Sequence, residues 1–119
     1  MTNAHPLMVV STGGCYGGSL AGYCLTTYSA LRVLLGEPHH KDIDYKVNAE
    51  WTFLCQDGTS FSVYDWKEKS IPKGDYWWHI GGNSARSLEA FTRMTGLPAI
   101  SHLEFHNSGA GHFRQHATA

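Results

Sequence analysis

The chain is short of almost everything that marks a binder of long polyanions, a secreted scaffold or a membrane protein. Only nine of its 119 residues are lysine or arginine, they form no basic run, and the formal net charge is -1. A nucleic-acid polymer would find little electrostatic footprint on such a chain, although a small bound anion is not excluded. Three cysteines, Cys15, Cys24 and Cys55, make an odd number without CxxC spacing. They predict buried free thiols in a reducing compartment rather than a disulfide framework. The longest early apolar run, Leu7 to Val10, is too brief for a signal peptide or a membrane span. A soluble intracellular protein is therefore expected. At 119 residues the chain predicts one domain, with a core over about 19–98, a Gly-rich front and a His-rich tail.

What is present is a set of short patterned segments. Leu7 to Val10 predicts a short strand, followed by two Gly-Gly pairs at Gly13-Gly14 and Gly17-Gly18. Without a following Lys-Ser/Thr, this stretch predicts a flexible hairpin tip rather than a phosphate cradle. Leu20 to Leu25 predicts a strand that feeds a helix capped by Thr26 or Thr27. That helix has Tyr28, Leu31, Leu34 and Leu35 on its apolar face and ends at Gly36 before Pro38. His39 and His40 fall in an expected solvated loop.

Val47 to Gln56 and Thr59 to Trp66 flank Asp57-Gly58, a hairpin signal. A two-residue loop would set Trp51 and Phe53 on the opposite face from Phe61 and Val63. A three-residue loop with Gly58 in the left-handed conformation puts all four on one face, and that register is expected. The other face then carries Glu50, Tyr64 and Trp66. If Tyr76 to Ile80 is the next strand, Trp78 and Ile80 join the core, while Trp77 and His79 join that outer aromatic face. Such a face needs a cover, whether a partner, the tail or a flat ligand.

The strand from Tyr76 runs through Gly81-Gly82 toward a second helix, with Asn83 as its possible cap and Leu88, Phe91 and Met94 as its buried stripe. Backbone N–H groups at such a helix start bind anions, and Ser84 and Arg86 would add a hydroxyl and a guanidinium. The plain alternative is a capped turn without a ligand. Lys67, just after Trp66, can reach a phosphate near the indole or simply be solvated. Thr26 and Thr27 form a second candidate anion site. The tail carries His102, His106, His112 and His116 as two HxxxH pairs, with Leu103, Phe105 and Phe113 able to dock on the core. Intervening glycines and the lack of a zincin glutamate argue for no dedicated metal site. The fold expected is α+β, a small antiparallel sheet of three to five strands with two helices packed on one face.

Read together, Ser19-Leu20-Ala21-Gly22-Tyr23, the helix end Gly36-Glu37-Pro38, Tyr64-Asp65-Trp66-Lys67 and Trp78-His79-Ile80-Gly81-Gly82 resemble a group of small phage proteins over roughly residues 19–95. That group is associated with anti-CBASS sponges, which bind cyclic dinucleotide immune signals such as 3'3'-cGAMP without cutting them. The resemblance implies a non-enzymatic protein without a cofactor, most simply a homodimer, working in the cytoplasm of an infected bacterial host. Ala21 stands where a polar residue would be expected. On this reading Tyr64, Trp66 and His79 form the base-binding face, with Gly81, Gly82, Ser84, Lys67 and Arg86 on a phosphate. Thr26 and Thr27 would take the second phosphate or a base edge. Two other functions compete: a small phosphodiesterase using His79 with Glu50 or a tail histidine, and a module whose aromatic face caps a defence effector.

Overall fold

The computed structural model describes residues 5–42 and 46–108; His112, His116 and Phe113 lie outside them. The chain runs β1 (Val9–Thr12), β2 (Ser19–Thr26), α1 (Tyr28–Leu35), β3 (His40–Lys41), β4 (Ala49–Cys55), β5 (Ser60–Tyr64), β6 (Tyr76–Gly82), α2 (Ser87–Thr95), β7 (Ile100–Ser101) and α3 (His102–Asn107). All seven strands join one antiparallel sheet in the order β1-β4-β5-β6-β2-β7, and β3 shares with β1 the same edge of β4. The class is the expected α+β. The sheet exceeds the expected three to five strands because β3 and β7 have only two residues each, too few to show a period in sequence.

The central hairpin has the register that its apolar pattern demands. Trp51 lies opposite Val63 and Phe53 opposite Phe61, and Gly58 sits in the left-handed region at φ 91° in a three-residue loop. All four side chains are buried, with Phe53 stacked on Phe61 at 4.9 Å. Trp78 and Ile80 of β6 enter the same core, where Trp51 meets Trp78 edge-on at 5.7 Å. The Trp51 indole N–H donates to the Gly36 carbonyl at 2.8 Å, tying the end of α1 to the sheet.

Helices α1 and α2 cover this core face. Thr27 caps α1, its hydroxyl accepting from the Ala30 N–H at 3.1 Å. Tyr28, Leu31 and Leu35 are buried, but Leu34 turns 38 % to solvent and drops out of the expected stripe. In α2 the buried residues are Ser87, Ala90, Phe91 and Thr95, while Met94 is 38 % exposed. The stripe is thus Phe91 flanked by the small residues Ser87, Ala90 and Thr95, and Ser87 lies against the backbone of β6 at Gly82.

Five further expectations need correction. Gly81 and Gly82 belong to β6, paired with β2 on one side and β5 on the other, and α2 begins only at Ser87. Asn83 does not cap α2; its side chain accepts from the Ser60 N–H at 2.7 Å and donates to the Gly58 carbonyl at 3.0 Å, bracing the hairpin loop. Cys24 and Cys55 are buried free thiols, whereas Cys15 is exposed. A third helix, α3, packs on the opposite face of the sheet, where Phe105 meets Tyr23 at 4.0 Å and Trp77 at 5.1 Å. His39 is likewise no solvated loop residue: its Nδ1 accepts from the Thr52 N–H at 2.9 Å.

Candidate functional site

Alternation along β4, β5 and β6 sends Glu50, Thr52, Ser60, Ser62, Tyr64, Trp77 and His79 to the face away from α1 and α2. Helix α3 covers one part of this face, over Tyr23 and Trp77. The remainder is a cleft of about 350 Å³. Thr52, Ser60, Ser62 and Gly81 form its floor, Glu50 and Tyr64 one wall, and Trp66 its rim. The Gly-rich segment after β1 passes over it instead of forming a hairpin tip. The Gly13 N–H donates to the Thr52 carbonyl at 2.9 Å, and the Tyr16 and Ser11 hydroxyls are bonded at 2.8 Å. Gly18 then lies so close to the Gly82 backbone that a Cβ at Gly18 would strike it.

Two hydroxyls on the floor, Thr52 Oγ1 and Ser60 Oγ, are buried and find no hydrogen-bond partner in the protein. The residues themselves are only 8 % and 2 % exposed. Trp78 Nε1 in the core and His79 Nδ1 behind Tyr64 are buried without a partner as well, and none of the four atoms presents surface to the cleft.

Trp66 owes its position to the residue before it. Asp65 is fully buried and accepts from the Asn48 N–H at 2.8 Å, the Asn48 amide at 2.7 Å and the Ala49 N–H at 3.0 Å. It thereby clamps the end of β5 to the start of β4. The Trp66 N–H donates to the Tyr76 hydroxyl at 3.1 Å, and the chain then turns sharply at Lys67, which holds φ 58°. The indole remains 39 % exposed, with the Lys46 and Lys67 ammonium groups 5.7 Å and 5.8 Å from its ring centre.

Two side chains on this face have displaced acidities. Burial, and then the Glu50 and Tyr23 charges, push the Tyr64 hydroxyl up to about 12, so it remains a neutral donor. His79 is lowered to about 4, chiefly by burial, against a backbone hydrogen bond at Trp77 that raises it and with His102 adding to the fall. Its ring lies edge-on to Tyr23 at 4.9 Å and tilted on Tyr64 at 5.4 Å.

The sequence-derived residues fall into three groups. Tyr64, Trp66, Gly81 and Gly82 line the cleft together, with Lys67 beside the Trp66 ring. His79 sits behind Tyr64, outside the cleft lining. Ser84 lies beyond Gly82 in a second, more open groove of about 680 Å³ with Leu20, Ala21 and Leu88, and its hydroxyl accepts from the Arg86 N–H at 3.0 Å. Arg86, the residue just before α2, is paired with Asp57 at 3.5 Å and Glu89 at 3.4 Å, so its charge at the helix start is balanced from within the protein. Thr26 and Thr27 are not brought to the cleft: Thr26 pairs with Tyr76, at the opposite end of β6 from Gly82, and Thr27 serves as a helix cap.

Tyr16, Lys46, Thr52, Ser60 and Ser62 were not singled out by the sequence. The alternation that places Glu50 and Tyr64 outward places Thr52 and Ser62 there too, but small polar residues on an outward face read as ordinary solvated surface. Only the roof, supplied by Gly14–Ser19 from more than 30 residues away in sequence, makes them a floor. No group of three His, Cys, Asp or Glu side chains able to hold a metal occurs among the described residues. No family model, no curated protein and no solved structure matches this chain.

Proposed function

We propose that the protein binds a cyclic dinucleotide of the 3'3'-cGAMP kind and holds it intact, withdrawing a bacterial immune signal and so blunting CBASS defence. The observation that carries this reading is the cleft itself, in which the Tyr64 and Trp66 rings stand beside the side-chain-free backbone of Gly81 and Gly82. Tyr64 and Trp66 offer faces for a flat base, and Lys46 and Lys67 put positive charge at the rim, where a phosphate would lie. A cleft of about 350 Å³ is at the small end for ligand sites and suits one base with its sugar. The second half of the ring then projects past Trp66 toward a second copy of the chain, in keeping with a homodimer.

Binding is favoured over hydrolysis by the state of His79. It is neutral above about pH 4, lies behind Tyr64 and is not offered to the cleft as a proton carrier.

The test is thermal-shift screening against cyclic di- and trinucleotides, followed by chromatography of the released ligand. Ligand at a hundred times its dissociation constant should add about 2.7 kcal/mol of stability, and it should be recovered unchanged. Trp66→Ala should weaken binding by roughly five- to a hundredfold, the value of stacking one base, while unfolding stays cooperative. Linearised nucleotide would replace this reading with a phosphodiesterase. No shift with any nucleotide, together with recovery of an effector protein in pull-down, would replace it with an interaction module.

A further inference from the structure

We propose that His102 and His106 of α3 are the protein ligands of a divalent transition-metal ion of the zinc class, and that this ion latches α3 to the sheet. The two histidines stand four residues apart in one helix, so their side chains leave the same face one turn apart. Their ring centres are 4.5 Å apart, with the planes at 83°. Spacing of this kind lets two imidazoles on a helix chelate a single ion. Both residues are exposed, so an ion reaches them from solvent. The glycines that interrupt the histidine-rich tail, Gly109 and Gly111, come after Asn107, and this first HxxxH pair therefore falls wholly within α3.

The sheet supplies the orienting contact that a metal-bound imidazole usually has on its other nitrogen. The Tyr23 hydroxyl lies 3.2 Å from His102 Nδ1, and Tyr23 is itself buried on β2. With Nδ1–H donating to the phenolic oxygen, the His102 lone pair lies on Nε2, the nitrogen turned away from Tyr23. Imidazole nitrogen suits zinc, copper and nickel, whereas magnesium and calcium take oxygen. Two protein ligands leave two positions of a tetrahedral ion to water. The helix is otherwise anchored by Phe105, which is buried against Tyr23 and Trp77. An ion joining His102 to His106 ties the second turn of α3 to the residue that Tyr23 holds.

Amide exchange of the whole chain with zinc chloride, and with magnesium chloride as the hard-ion control, tests this. Zinc at about ten times its calorimetric dissociation constant should slow exchange in His102–Asn107 about tenfold, and magnesium should leave it unchanged. His106→Ala, at an exposed position, should abolish the slowing. Tyr23→Phe keeps the ring against Phe105 but loses the hydroxyl, and it should weaken zinc binding about tenfold, as loss of an orienting partner does. A chain carrying His112→Ala and His116→Ala should keep the full effect. Four results overturn the proposal: no slowing with zinc in large excess, slowing that survives His106→Ala, unaltered zinc affinity in Tyr23→Phe, or slowing lost with the tail pair. None of these readouts depends on a nucleotide.

Discussion

At the scale of single residues, the most consequential side chain is one that never touches the cleft. Asp65 is a fully buried carboxylate facing three N–H donors of Asn48 and Ala49, and it fixes where β5 stops and Trp66 turns outward. Asp65→Asn keeps the shape but turns an amino group toward at least one of those donors. A lost charge-assisted bond and a stranded donor should together lower stability by about 3 kcal/mol, measured by urea unfolding. A change under about 0.5 kcal/mol, within the range of an ordinary surface substitution, would show that the clamp is not needed. The outward placement of Tyr64 was legible in sequence, because period-two alternation from Phe61 and Val63 dictates it, whereas Trp66 lies past the end of β5 at Tyr64 and is set by the Asp65 clamp. Asp65 was not: an acid after a strand looks like the first polar residue of a turn, and its donors lie 16 and 17 residues away. Arg86 misled for the same reason, since one of its two neutralising partners, Asp57, is 29 residues distant.

At the scale of elements, the hairpin was legible and the covers of the outer face were not. Asp57-Gly58 and the core pattern together left one register that buries all four apolar residues, and the chain adopts it. The Gly-rich segment bears no local mark of being a roof, because its defining contact is between Gly18 and the backbone of Gly82. Helix α3, at six residues, is too short for a helical period to show. It is held mainly by one ring, since Phe105 is 5 % exposed and lies against Tyr23 and Trp77. Its start is capped by Ser101, whose hydroxyl accepts from the Glu104 N–H at 3.1 Å. Phe105→Ala should therefore free α3 rather than unfold the sheet. A loss of about 3 kcal/mol, the low end for a buried phenylalanine, should appear as faster amide exchange in His102–Asn107 with β4 and β5 still protected. Uniform loss of protection would instead make α3 part of the cooperative core.

At the scale of the whole molecule, two partly buried imidazoles tie the fold to acidity. His79 is lowered to about 4 from the usual 6.5, and His39 is lowered by burial and then by His40, with its Nδ1 accepting from the Thr52 N–H. The unfolded chain takes up these protons more readily than the folded one. Stability should thus be level above about pH 6.5, fall between about 6.5 and 4, and lose no more from His79 below that. The His79 slope approaches about 1.4 kcal/mol per pH unit, and His39 acts in the same direction. His79→Gln should flatten its share of the decline in urea unfolding followed from pH 7 to pH 4. An unchanged slope would mean that His79 is protonated within the fold.

The segment that crosses the cleft has a kinetic consequence. Gly13 is bonded to Thr52 at one end and Gly18 abuts Gly82 at the other. A strap fastened twice does not swing aside as a one-hinged flap does. On the proposed reading, a captured nucleotide would depart sideways past the indole, and that passage would govern its dwell time. If the chain serves as the proposed trap, how long the messenger is detained would matter more than how quickly it was caught.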